Sequence, residues 1–420
     1  MSALVPPAHL LGSEVEVPCA DGHLRRHVNL DYAASTPVMS AVWDVVEAFV
    51  PWYSSVHRGT GAKSQVSTAA YERSRDVVAH FVGAPETASV VFVRNTTDAI
   101  NLLSTALAHG TKVLSTPVEH HANMLPWRRH DLQTLPFTTS ADELLEVTER
   151  ALKASRIDLL AVTGASNVTG EVWPLEQLGR LAHAYGAQLF VDAAQLAPHR
   201  AIDMAAAHID HLALSGHKLY APFGSGALVS QTPLDGEPLL HGGGAIKLVT
   251  LDDVVWAEAP DRFEAGSPNV IGAVAFAAAC EALEEIGMDA IADRERALSA
   301  RLHAGLDGID GLTRLALWPV HDERVGVASF TLKGHKAEAL AARLSDEYAI
   351  AVRHGCFCAH PLITRLLQIP DAESKRLQKA LRKGKEPELP GAVRASIGLG
   401  TTTQDIDALT GALAEIAGLP

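Results

Sequence analysis

Lys218 stands in SGHK (215–218), just after the β-rich run HLALS (211–215) and just before the glycine-spaced turn APFGSG (221–226). Alone, such a lysine reads as a solvated surface charge, as most lysines are. Its company changes the reading. Asp192 ends the preceding β-rich run in VDAAQ (191–195), which sets a carboxylate at the carboxyl edge of a sheet, where open α/β sheets bind ligands. Thr96 and Thr97 follow the run SVVFV (89–93) and open a helix. They offer hydroxyls and free backbone N–H groups at a positive helix end, a cradle for phosphate. Phosphate cradle, strand-end aspartate and strand-end lysine together describe pyridoxal 5′-phosphate. The lysine suits a Schiff base, the aspartate keeps the pyridine nitrogen protonated, and the helix end takes the phosphate.

A second stretch, VRHGCFCAHP (352–361), holds two of the chain's four cysteines, Cys356 and Cys358, between His354 and His360. Three chemistries suit it: a metal clip, a disulfide, or a nucleophilic thiolate. A structural metal needs about four ligands. All four side chains are even-numbered, so an extended strand would align them. Seven residues, however, can hardly wrap a tetrahedral ion, and no second Cys/His cluster follows elsewhere in the sequence, so no metal is expected. A Cys356–Cys358 disulfide would close a small strained ring and is disfavoured in a reducing compartment. The nucleophile stays open at this point.

These residues need a scaffold. At 420 residues, with 47% hydrophobic and 20% charged side chains, the chain has the composition of a soluble enzyme too long for one ordinary core. Its net charge of −14 repels nucleic acid and acidic membrane surfaces, so neither is expected as a partner. The start, MSALVPPAHLLGSEVEV, lacks the basic and long apolar regions of a secretory signal, and apolar windows such as IGAVAFAAAC (271–280) are too short to span a bilayer. A cytoplasmic location is expected. From about 85 to 230, short β-rich runs (89–93, 112–116, 157–164, 188–193, 211–215, 226–230) alternate with helical patterns, such as Leu175, Leu178, Ala182 and Tyr185 closed by Gly186. Such alternation predicts an α/β fold with a mostly parallel central sheet and helices on both faces. A different texture begins near 285: charged helices (290–306, 336–346), strands VASFTLK (327–333) and AIAVRH (349–354), and a last helix with Ile406, Leu409, Leu413 and Ile416 on one face. The expected division is an N-terminal segment (1–27) packing on the small domain, a large domain (28–284), and a smaller α+β domain (285–420) carrying the cysteine loop. The stretch 368–390 stands apart on an acidic chain, with Lys375, Arg376, Lys379, Arg382, Lys383 and Lys385. It reads as a solvated surface helix and loop, or as a dock for an acidic partner.

Taken in order, LDYAASTP (30–37), VHRGTG (56–61), RNTTDAINLL (94–103), EHHANMLPW (119–127), SNVTG (166–170), VDAAQ, SGHKLYAPFGSGAL (215–228), RFEAGSPN (262–269) and VRHGCFCAHP resemble the class V aminotransferase family of pyridoxal-phosphate enzymes of fold type I. Within it they look most like SUF-type cysteine desulfurases, also called selenocysteine lyase-like enzymes. The resemblance spans roughly residues 28 to 418. It implies Lys218 as the Schiff-base lysine and Asp192 as the pyridinium partner. Gln195 is implied to meet the phenolic oxygen, and His120 to stack on the ring and relay protons. Thr97, Ser215 and His217 are implied to hold the phosphate, with Thr96 nearby. Ser267, where the family usually has threonine, would reach the phosphate of a neighbouring subunit, which implies a homodimer with shared active sites. Asn167 would lie over the cofactor near the substrate, and Arg394, in VRASIG, would clamp the substrate's α-carboxylate.

The resemblance also decides the cysteine loop. In the desulfurase pattern the nucleophile falls five residues after an arginine; counting from Arg353 reaches Cys358, while Cys356 occupies a position often filled by histidine. Cys358 is thus implied to carry a persulfide and Arg353 to help bind substrate; Cys356 reads equally as a filler or as functional. The implied reaction removes sulfur from L-cysteine to give L-alanine and a Cys358 persulfide for a sulfur-acceptor protein. The alternative is a class V C–S lyase acting on cysteine, cystine or a specialised thioether without a protein persulfide. The CFC arrangement and the long path from Cys358 to Arg394 depart from the family pattern.

Overall fold

The computed structural model describes residues 8–318 and 323–418. Its main sheet has seven strands: β1 (Ser89–Val93), β2 (Lys112–Ser115), β3 (Asp131–Thr134), β4 (Leu159–Thr163), β5 (Gln188–Asp192), β6 (His211–Ser215) and β7 (Gly226–Ser230), in the order β1-β7-β6-β5-β4-β2-β3. Pairings from β3 to β6 are all parallel, whereas β7 runs antiparallel to both its neighbours, β1 and β6. Every residue of β4, β6 and β7 is buried, as strands covered on both faces must be.

Alternate residues of these strands go to opposite faces and into two different cores. Leu114, Leu160, Val162, Leu189, Val191, Leu212 and Leu214 join one core. Val113, Leu159, Ala161, Phe190 and Ala213 join the other, with Ile100 and Leu103 of helix α3. The eleven helices in chain order are α1 (Ser40–Phe49), α2 (Ala62–Phe81), α3 (Thr96–Ala106), α4 (Ala141–Ala154), α5 (Leu175–Ala184), α6 (Val270–Ile286), α7 (Met288–Asp307), α8 (Ala337–Tyr348), α9 (His360–Leu366), α10 (Asp371–Arg382) and α11 (Thr403–Gly418). The apolar window at 271–280 belongs to α6, which packs against α1 and α2; among the described residues no helix is long and apolar enough to cross a membrane.

A third core lies around a four-stranded antiparallel sheet of β8 (Leu312–Leu315), β9 (Val327–Leu332), β10 (Arg353–Gly355) and β11 (Ala392–Ser396), in the order β8-β9-β11-β10. Ile406, Leu409, Leu413 and Ile416 of α11 bury their shared face here, with Val28 and Leu30 from far upstream. The stretch 349–354, expected as one strand, is divided. Ala349 adopts a left-handed conformation that ends α8, and Ile350–Ala351 then pair in parallel with Val28–Asn29. Only after Val352 does the chain enter the four-stranded sheet as β10, because its two halves hydrogen-bond to different partners.

Candidate active site

Strands β5 and β6 are parallel neighbours, so their carboxyl ends deliver Asp192 and the 215–218 turn to the same edge of the sheet. There a cavity of about 360 Å³ opens, and both Asp192 and Lys218 line it. Asp192 is almost wholly buried; its Oδ1 accepts the Ala194 N–H at 3.0 Å. Burial raises its pKa, while that hydrogen bond and the nearby Lys218 pull it back. Lys218 is half-buried, and desolvation pushes its amine down to about 8, against the opposing pull of Asp192. His120 lines the same cavity, and its Nδ1 accepts the Ala122 N–H at 3.1 Å, which leaves its proton on Nε2. Burial, with Lys218 beside it, takes this imidazole down to about 3, so it is neutral at physiological pH.

The cradle forms where α3 starts. Asn95 caps the helix by accepting the Asp98 N–H, and Thr96 donates its N–H and aligns its hydroxyl to the Ser215 hydroxyl, both at 2.8 Å. Thr97 is exposed beside it and His217 closes the side, its ring stacked on Phe223 and lowered to about 4 by burial. All four line the cavity. Gln195 donates to the Ala33 carbonyl at 2.7 Å, which fixes the amide with its oxygen left for another partner.

The arginines come from the four-stranded sheet. Arg353 on β10 and Arg394 on β11 are opposite one another in register. Like charges directly opposite repel; here Asp31 bridges them, taking Arg353 at 2.8 Å and Arg394 at 3.2 Å. Arg394 is 3% exposed, donates to the Asn167 carbonyl at 3.0 Å, and keeps a buried Nε without a partner. An orphaned guanidinium N–H on a cavity wall suits an anionic ligand.

The cysteine loop is a turn and not a strand. β10 stops at Gly355, so the alignment of even-numbered residues ends before the cysteines. Phe357 and Cys358 both take positive φ, +53° and +54°, and the Ala359 N–H closes the turn onto the Cys356 carbonyl at 2.9 Å. Two adjacent non-glycine residues in this region are costly and persist only when held. Phe357 is buried under the Arg394 guanidinium, 5.0 Å from its ring centre, and its carbonyl accepts from Asn167 at 2.7 Å. The His121 N–H donates to the Cys358 carbonyl at 2.7 Å, and His121 stacks on His360, which also donates its N–H to that ring. Cys358 emerges exposed and lines the cavity, whereas Cys356 is half-buried against the core.

Twelve of the thirteen sequence-identified residues therefore line one cavity. Ser267 does not: it is exposed in a separate groove with Phe92, Glu264 and Asn269. Asp31 was not identified from the sequence, where it is one acid within LDYAASTP. Glu119 also escaped notice. It is fully buried beside His120 and accepts from Thr116, Asn123 and the Thr163 N–H, and burial raises it to about 8.

The family model for class-V aminotransferases matches residues 28–409. A cysteine desulfurase of Dickeya dadantii is 38% identical over 402 residues, 92% of this chain and 91% of the relative. A probable cysteine desulfurase of Halobacterium salinarum is 34% identical over 403 residues, again 92% and 91%. Among solved structures, the apo cysteine desulfurase of Thermococcus onnurineus superposes with a TM-score of 0.80 at 31% identity, covering 94% of this chain and 95% of that one.

Proposed function

The chain belongs to the class-V aminotransferase family, and we propose that it is a pyridoxal-phosphate-dependent cysteine desulfurase, converting L-cysteine to L-alanine and leaving the sulfur as a persulfide on Cys358. One observation carries this reading: a cysteine on a held, positive-φ turn lines the same cavity as a lysine facing a buried aspartate and an arginine with an unpartnered N–H.

The residues fit the cofactor. Asp192 has only one oxygen engaged by the protein among the described residues and would hold the proton of the ring nitrogen. Thr96, Thr97, Ser215 and His217 would hold the phosphate, and Gln195 the phenolic oxygen. The neutral His120 ring would cover the pyridine face, with Asn167 near the substrate. Lys218 would attach the cofactor through its Nζ. When bound, pyridoxal phosphate supplies a conjugated ring that draws electron density from the substrate's Cα and so weakens the Cβ–Sγ bond.

Arg394, with Arg353, orients the substrate's α-carboxylate. The Lys218 amine, already lowered to about 8, takes the Cα proton on Nζ. The Cys358 thiolate attacks the substrate Sγ: an S–S bond forms, the Cβ–Sγ bond breaks with its electron pair passing to Cβ, and protonation of Cβ together with return of the Lys218 proton to Cα completes alanine. On this reading residues 28–284 carry the cofactor machinery and 285–420 the cysteine turn and arginine pair. The exposure of Ser267 away from the cavity, and a hairpin (Ile246–Val249, Val254–Trp256) that exposes Leu248, Leu251 and Val255, support a homodimer with shared sites. Four free cysteines support a reducing, cytoplasmic setting.

The test is product identity. Incubation with L-cysteine yields alanine, and the tryptic peptide holding Cys358 gains one sulfur atom; Cys358→Ala abolishes alanine formation while the cofactor's absorption band persists. Pyruvate in place of alanine would establish the lyase instead.

A further inference from the structure

Helix α10 contributes no buried residue to any core among the described residues. Only one face, with Glu373, Ser374, Leu377 and Ala380, is half-buried, so packing holds this helix weakly and the rest of its support must come from its own pairs or from a partner. Its own pairs do not suffice. Lys375, Lys379 and Lys383 follow at i, i+4 and i+8, so like charges stack along one face, with Arg382 beside them. Arg376 finds Glu373 at an exposed 3.3 Å, and among the described residues Lys375, Lys379, Arg382, Lys383 and Lys385 form no ion pair. The rest of the chain is acidic enough to bring the net charge to −14.

The place of this cationic helix is as informative as its charge. It is joined to the cysteine turn by α9 alone, a seven-residue helix rising about 10 Å, and a four-residue link. A groove of about 960 Å³ lies against it, lined by Arg376, Leu377, Leu389, Lys336, His354 and Gly355 together with Glu338, Glu373 and Glu388, so its charges are mixed and the unpaired cations lie on the helix itself. His354 and Gly355 end the strand that leads into the Cys358 turn. Lys336 pairs with Glu388 at 2.6 Å, fixing the far arm of the excursion.

We propose that α10 and this groove form the docking surface for the protein that receives sulfur from Cys358, and that this acceptor presents an acidic face beside its thiol. The proposal rests on the desulfurase reading and adds the partner's chemistry. An acidic protein is repelled by the net charge of the chain and attracted at this patch, which steers its thiol to the turn. The transfer is a thiol–persulfide exchange: the acceptor thiolate bonds to the outer sulfur, and the S–S bond to Cys358 breaks, returning a thiolate there. Nucleic acid fits less well, since −14 opposes a long polyanion beyond the patch.

The test uses the full-length holoenzyme with L-cysteine and three acceptors: a glutamate-rich peptide with one cysteine, a lysine-rich peptide with one cysteine, and dithiothreitol. At low salt the acidic peptide is expected to have a kcat/KM at least ~10-fold above the basic one, a gap that closes as salt is raised. Reversing the patch (Lys375→Glu, Lys379→Glu, Arg382→Glu, Lys383→Glu) removes the preference and leaves the dithiothreitol rate unchanged. Equal rates for the two peptides in the wild type, or a preference surviving in the reversed variant, overturn the proposal. So does an RNA oligonucleotide binding through α10 when the peptides are not distinguished. Absence of alanine with dithiothreitol would instead overturn the desulfurase reading itself.

Discussion

Replacing Lys218 by methionine tests whether the cavity holds that amine at a cost. In the cofactor-free protein, desolvation moves the amine from 10.5 down to about 8, with Arg394 adding to the shift and Asp192, Cys358 and Asp31 opposing it. Below pH 8 both the folded and the unfolded chain carry the proton, and the penalty for burying it is constant. Between 8 and 10.5 the unfolded chain binds more proton than the folded one, so stability rises with pH across that window. At ~1.4 kcal/mol per pH unit, the ceiling is about 3 kcal/mol. Lys218 is only half-buried, and water screening at the cavity mouth reduces the figure to ~1–2 kcal/mol. Urea unfolding of cofactor-free wild type and Lys218→Met, at pH values from 7.5 to 10.5, reads this directly. Stability of the wild type relative to the variant should increase by ~1–2 kcal/mol across the series. A difference independent of pH would refute the reasoning, because the lysine would then be no easier to deprotonate in the cavity than in water. An amine near 8 is partly neutral at physiological pH, the form that can bond to an aldehyde.

Two further outcomes follow from the same geometry. Arg394→Lys keeps the charge but loses the fork and the contact over Phe357; KM for L-cysteine should rise ~10- to 100-fold in steady-state assays, equivalent to ~1.4–2.8 kcal/mol, with the cofactor's absorption unchanged. Arg75→Ala strands Glu264, which is 6% exposed and receives Arg75 at 2.6 Å, Tyr71 at 2.7 Å and the Phe92 N–H at 2.6 Å. Loss of that cation should cost ~3–5 kcal/mol and lower the melting temperature by roughly 3–6 °C in a calorimetric scan, and an unchanged melt would show that the pair bears no weight.

Period and order were legible in the chain because they are local. Alternating apolar residues at 159–162 and 189–191 divide between the two faces of the sheet as a period of two requires, and the 3.6-residue period placed Ile406, Leu409, Leu413 and Ile416 on one buried face. The same local logic located Thr96, Asp192 and Lys218, since each follows directly from the end of a strand. Direction and register were not legible. GALVS reads like the parallel runs before it, yet β7 is inserted antiparallel between β1 and β6, a choice completed by its pairing with the distant β1, where Gly226 meets Val93. Asp31 and the arginine pair illustrate the same limit. Nothing local sets Arg353 opposite Arg394 or brings a carboxylate from 363 residues upstream to separate them. The cysteine turn depends on the tertiary structure most of all. Its sequence specifies a thiol at the right count from Arg353, but the left-handed backbone at Phe357 and Cys358 is disfavoured on its own. It is held there by Asn167, His121 and Arg394, contacts that exist only once the sheets have assembled.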